Sequence, residues 1–179
     1  MMRARSLAMV GLMLFAAGST SCFDPVHADE VEALGGEAPG VREGPTHRPG
    51  QPCRTCHGGV GPSGREFTFA GTIFLYYDRP APAVGTRIEL REVGDETRSF
   101  TAVSNEVGNF YVTKEQFNPK FPVFVTLLDD KITDAPAGIK DMVTPIGRNG
   151  GCGFCHAAGV ASANQKLMPH VYLNRAPVQ

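Results

Sequence analysis

Phe67-Thr68-Phe69-Ala70-Gly71-Thr72-Ile73-Phe74-Leu75 sets Phe67, Phe69, Gly71, Ile73 and Leu75 on one side of an extended chain and Thr68, Ala70, Thr72 and Phe74 on the other. The two-residue period predicts a strand, buried on both faces towards its apolar end. Arg87-Ile88-Glu89-Leu90-Arg91 alternates cleanly and predicts a half-buried strand. Ser99 to Val103, Asn109 to Val112 and Val123 to Leu128 are further β-branched or aromatic runs, with a last strand expected over Asp141 to Thr144. Turn residues separate them at Asp78 to Pro82, Gly94-Asp95, Asn105 to Gly108, Asn118-Pro119 and Asp129-Asp130. Short strands at roughly 8 to 12 residue spacing indicate a small antiparallel β-sandwich over residues 67–145.

The rest of the composition agrees. The 179 residues include 21 Gly and 14 Pro, which favours turns over long helices. Seventeen Lys and Arg against 18 Asp and Glu give a formal charge of -1, too little positive charge for a general nucleic-acid binder. A hydrophobic content of 42% supports one core but not several membrane spans. Within the β-region, Gly71-Thr72-Ile73, Ala83 to Leu90, Phe100 to Asn105 and Gly108-Asn109-Phe110-Tyr111-Val112 resemble the carboxypeptidase regulatory-like, transthyretin-like sandwich modules. Thr113 to Pro122 looks inserted relative to them. In those families the module is a non-catalytic scaffold, so the resemblance implies no active site within residues 67–145.

Two clusters flank this region. Cys53-Arg54-Thr55-Cys56-His57 and Cys152-Gly153-Phe154-Cys155-His156 repeat one spacing, CxxCH. This is the attachment motif of c-type haem: two thiols three positions apart each add to one vinyl group on the porphyrin edge, and the next residue is carried beneath the ring as an iron ligand. Four Cys alone would also suit a tetrahedral zinc site, which leaves both His unexplained. A redox dithiol would be expected in a thioredoxin-like βαβ setting, which is missing. Two structural disulfides are compatible with export. Only two covalently bound haem c groups use all six residues.

A dihaem chain needs further axial ligands or open iron positions. His47, ten residues before His57, and His170, fourteen after His156, are the expected distal ligands, with Met142 or Met168 as substitutes. His57, His156, His47 and His170 thus form the expected metal set. Which distal His serves which iron is open at this level. His27 reads as a solvated side chain.

Arg3 and Arg5 precede an apolar run from Leu7 to Ala17 and the small residues Gly18 to Ser21, the pattern of a secretory signal peptide over residues 1–22. The run is shorter than the roughly 20 residues of a membrane span. Cys22 stands where a bacterial lipoprotein carries its lipid; a competing cleavage site follows Ala28. Residues 23–50, with Asp24, Asp29, Glu30, Glu32, Glu37 and Glu43 among Gly and Pro, are expected to be a flexible acidic tether. Residues 51–66 and 146–179 are the two haem-binding segments, and a helix is expected over Ala157 to Leu167.

The fold expectation is a mainly β chain: an antiparallel sandwich flanked by two short haem-binding segments with little helix. The chain resembles small dihaem c-type cytochromes. That resemblance implies an exported electron carrier in a bacterial cell envelope, periplasmic or anchored through Cys22, rather than an enzyme. Its partners would be redox proteins and, by self-association, further copies in haem arrays. The alternatives are a dihaem peroxidase with one open iron and a zinc-stabilised binding module.

Overall fold

The computed structural model describes residues 24–37, 39–77, 79–156 and 168–175. Among these residues nine strands follow in chain order: β1 Phe67–Thr72, β2 Phe74–Tyr76, β3 Arg79–Pro82, β4 Arg87–Glu92, β5 Asp95–Val103, β6 Asn109–Thr113, β7 Val123–Leu128, β8 Ile139–Asp141 and β9 Tyr172–Asn174. Two short α-helices of the described residues precede them, α1 Pro25–Ala33 and α2 Cys53–His57, and 3-10 turns occupy Pro136–Gly138 and Cys152–Phe154. The chain is mainly β, as expected. The expected signal peptide, Cys22 and the helix over Ala157 to Leu167 lie outside the described residues.

The strands form three small sheets, in the orders β5-β4-β7-β8, β1-β6 and β3-β2-β9. Alternation on β4 turns Ile88 and Leu90 inward. Ile88 stands between Ala102 and Leu127, and Leu90 between Phe100 and Val125, so one face of the four-stranded sheet is continuously apolar. Phe69, Ile73, Phe110 and Val112 join the same core from β1, the turn after it and β6. Leu90 is fully buried. Leu90→Ala is therefore expected to lower unfolding free energy by about 2–5 kcal/mol in a urea titration.

β1 is buried along its whole length. It pairs with β6 through a bulge at Thr68, whose hydroxyl donates to the carbonyls of Val112 (3.1 Å) and Phe117 (2.9 Å). Gly108, at φ +81°, closes the turn into β6. A Cβ there would strike the Ile73 carbonyl, so glycine is required on two counts.

Four features differ from the sequence reading. The turn expected at Asp78 to Pro82 contains β3, an edge strand where Pro needs no outward N–H. The strand expected over Asp141 to Thr144 runs instead over Ile139–Asp141, in a register that lets the Thr126 hydroxyl donate to Asp141 Oδ1 at 2.6 Å. β9, from residues 146–179, adds in parallel to β2, so the boundary drawn at residue 145 divides a shared structure. Residues 23–50, expected as a tether, contain α1. Asp24 caps it by accepting from the amides of Val26 and His27, and Pro25 opens it. The helix buries none of its residues, so it has no apolar period to detect.

Two buried acids fix the sandwich ends. Glu92 accepts from Arg98 Nε (2.6 Å) and the Lys120 amide (3.0 Å). The Arg98 hydrogen bond, first of all, holds its carboxyl below the usual range. For Asp129, burial works upward, but hydrogen bonds from the Thr86 hydroxyl (2.6 Å) and Lys131 outweigh it and leave it below the usual range. A depressed carboxyl contributes stability above its unfolded pKa of about 4 and loses it as pH falls through the folded value. The urea midpoint should hold steady from pH 6 to about pH 4.5 and then drop. Glu92→Gln should lower the midpoint at pH 6 and flatten that acid limb.

Candidate functional site

Cys53 and Cys56 lie one turn apart on α2, which starts directly after Pro52, with the Thr55 amide donating to the Pro52 carbonyl at 2.9 Å. Gly58 caps its end, where a Cβ would meet the Arg54 carbonyl. The second motif is wound more tightly: the amides of Cys155 (3.3 Å) and His156 (2.9 Å) both donate to the Cys152 carbonyl.

The two motifs meet beside β1. The Ala70 amide donates to the Gly150 carbonyl at 3.1 Å, and Gly151 bridges Ala70 in parallel, so the second motif enters along the edge of β1 not taken by β6. Arg54, inside the first motif, donates from Nη1 to the carbonyls of Arg148 (2.8 Å) and Asn149 ahead of the second. Gly153, inside the second motif, lies on the chain that leads into the first: a Cβ there would stand 2.6 Å from Pro52 Cα and 2.9 Å from its nitrogen. Gly71 makes room for Cys152 in the same way, since its Cβ would lie 2.7 Å from Cys152 Cβ.

The four motif cysteines form no disulfide with one another. Burial pushes the Cys53 thiol up to about 11, against the lowering effect of a backbone hydrogen bond. Burial and then the neighbouring Cys53 push Cys152 up to about 12. Both shifts favour the neutral thiol over the thiolate. Among the described residues no three His, Cys, Asp or Glu side chains converge as metal ligands.

The two motif histidines share one arrangement. His57 Nδ1 lies 2.9 Å from the Arg65 carbonyl, and His156 Nδ1 lies 2.7 Å from the Pro169 carbonyl. A carbonyl only accepts, so each Nδ1 carries the proton and each Nε2 keeps the lone pair. Burial, as the largest cause, holds the His57 pKa below its ordinary value despite the Arg65 hydrogen bond, so the neutral ring is favoured. His57 also stacks on Phe67, with centroids 4.3 Å apart and planes 12° apart.

Each motif borders a cleft. Cys53, Cys56 and His57 line one of about 690 Å³ together with His47 and Arg65. Cys152, Cys155 and His156 line another of about 290 Å³ together with Met142, Met168 and His170. The larger lies within the roughly 300–1,000 Å³ of cofactor-sized sites and the smaller just below it. Phe110 lines both. His47 thus belongs with His57, and His170 with His156. His170 packs on Phe74, with centroids 5.0 Å apart. His27 is not a solvated tether residue: it sits on α1, 3.7 Å from Glu30, with Nε2 buried.

No known protein family, characterised protein or solved structure matches this chain. Its own residues therefore carry the reading. The sequence missed the carbonyls of Arg65 and Pro169, which fix the imidazole tautomers, because a backbone acceptor leaves no residue-type signal. Phe110, Gly71 and Gly153 were missed as neighbours of the motifs, because only the pairing of β1 with β6 and the crossing at Pro52 give them those contacts.

Proposed function

We propose that the protein is an exported dihaem c-type cytochrome that carries single electrons. The observation that supports it most is the duplicated arrangement: two CxxCH turns, each beside a cleft, each with its His Nδ1 tied to a carbonyl and Nε2 left as the ligating nitrogen. Cys53 and Cys56 would hold one haem and Cys152 and Cys155 the other, with His57 and His156 as ligands. The donor set fits: two thiols one turn apart and a neutral imidazole next in sequence, repeated on both sides of β1. When bound, haem iron supplies reversible one-electron chemistry between its ferric and ferrous states.

The chain's own residues shape that chemistry. The Arg65 and Pro169 carbonyls orient the imidazoles and increase their donor strength. Arg65 is exposed at the first cleft without a carboxylate partner among the described residues, and so offers positive charge to the acidic side chains of a porphyrin. Contact between the motifs through Gly153, Pro52 and Arg54 supports exchange of electrons within one molecule. Redox proteins are the proposed partners, with arrays of further copies as an extension. The proposed location is the cell envelope, with a lipid on Cys22 as anchor. No helix among the described residues is long and apolar enough to cross a membrane.

Expression of the full chain in a host with c-type maturation tests the reading. The pyridine haemochrome should show c-type haem at two per chain. Stoichiometric zinc without haem absorbance would overturn it.

A further inference from the structure

We propose that residues 39–51 form a strap that delivers His47 as the second ligand of the iron at the first motif, with Glu37 as its positioning residue. The inference rests on the haem reading of Cys53 to His57 and names a ligand pairing that the sequence left open.

The strap is built around Arg48. Its backbone lies in the left-handed region at φ +49°, which a non-glycine residue adopts only when its surroundings hold it there. The guanidinium does so: Nε donates to Glu37 Oε1 (2.8 Å), Nη1 to Gln51 Oε1 (3.0 Å) and the Leu34 carbonyl (3.3 Å), and Nη2 to the Gly35 carbonyl (2.7 Å). The strap is also stitched to the start of β6. Asn105 Nδ2 donates to the Pro45 carbonyl at 2.7 Å, and Asn109 Nδ2 donates to the His47 carbonyl at 2.9 Å. These bonds set the His47 backbone against the first cleft.

The ring geometry fits a shared ion. The His47 and His57 centroids are 5.9 Å apart at 67°. Two imidazoles that approach one ion from opposite sides, with metal–nitrogen bonds of about 2 Å, have centroids about 6 Å apart. Rings in direct edge contact alone would leave the His47 ring without a polar role. Its Nδ1 is buried and lies 3.2 Å from Glu37 Oε1, outside hydrogen-bond alignment. Glu37 Oε2 is likewise buried without a partner. A hydrogen bond from this donor to the Glu37 carboxylate gives Nδ1 its partner and leaves Nε2 as the ligating nitrogen. A carboxylate behind a ligating histidine fixes its tautomer and raises its basicity, so it favours the oxidised metal.

The test uses the full-length dihaem protein. In wild type, reduced protein should take up no carbon monoxide at the first site. His47→Gly should convert one of the two ferric haems to high spin and bind one additional carbon monoxide per chain when reduced, and added imidazole should reverse both changes. If that variant does not fold, His47→Met replaces it and should introduce the near-infrared signature of a thioether ligand at one haem. Glu37→Gln should keep both haems low-spin yet raise the reduction potential of one and leave the other unmoved, a change that a merely structural role would not produce. Unchanged spin state and ligand uptake in the His47 variants would overturn the pairing. Unmoved potentials in Glu37→Gln would overturn the positioning role. A wild-type protein without haem would instead overturn the underlying reading, before any variant is made.

Discussion

Replacement of Cys53 and Cys56 together by Ser is expected to halve the covalent haem, leaving one haem per chain on Cys152 and Cys155. Replacement of Cys152 and Cys155 should leave the complementary one, and the fourfold change should leave none. The physical reason is that each pair is a local unit: the two thiols sit on one turn of chain. The two double changes should not be equal in stability. Cys152 packs against the core beside Gly71, whereas Cys53 and Cys56 line the wider cleft. The Cys152 and Cys155 change places a hydroxyl where the half-buried Cys152 thiol packs on the core and should cost more, about 1–3 kcal/mol beyond loss of haem. Intact mass and haemochrome absorbance give the count, and a urea midpoint gives the stability. Two haems retained in either double variant would contradict the assignment.

Gly153→Val is expected to be the most damaging substitution of a single non-ligand residue in the second motif. Its added Cβ meets backbone rather than a flexible side chain: Pro52 Cα at 2.6 Å, Pro52 nitrogen at 2.9 Å and the Gln51 carbonyl at 3.1 Å. Neither a proline ring nor the segment that leads into α2 can rotate away, so the two motifs must separate. Overpacking costs typically 1–3 kcal/mol, and a backbone obstacle sets this case at about 3 kcal/mol or more. The same separation should slow electron exchange between the two sites and reduce haem occupancy. Gly147→Val is the control, because a Cβ there meets nothing within 4 Å. The urea midpoint of Gly147→Val should stay near wild type while that of Gly153→Val falls; equal midpoints would show that the motifs do not depend on this contact.

Most of the fold was legible where side-chain period and burial agree. On β4, polar Arg87, Glu89 and Arg91 alternate with buried Ile88 and Leu90, and the boundaries of β7 were read correctly as Val123 to Leu128. Legibility failed where a strand is held by pairing alone. β3 and β9 are short, and β9 exists because Phe74 and Tyr76 find Tyr172 and Asn174 from the far end of the chain. The helix α1 was hidden for the complementary reason: its stabilisation comes from the Asp24 cap, without a buried stripe.

The candidate site divides along the same line. Residue identity and spacing alone determined the two CxxCH motifs and their histidines, because the motif is local and occupies a single turn of chain. Tertiary structure decided everything that requires two distant segments to meet. It tied each His Nδ1 to a carbonyl from a segment outside its own motif, brought Gly153 onto Pro52, and assigned His47 to the cleft of His57 and His170 to that of His156. The reason is physical: a carbonyl acceptor, a missing Cβ and a strap folded back over a cleft have no residue-type signature until β1 and β6 pair and fix where the two ends of the chain must go.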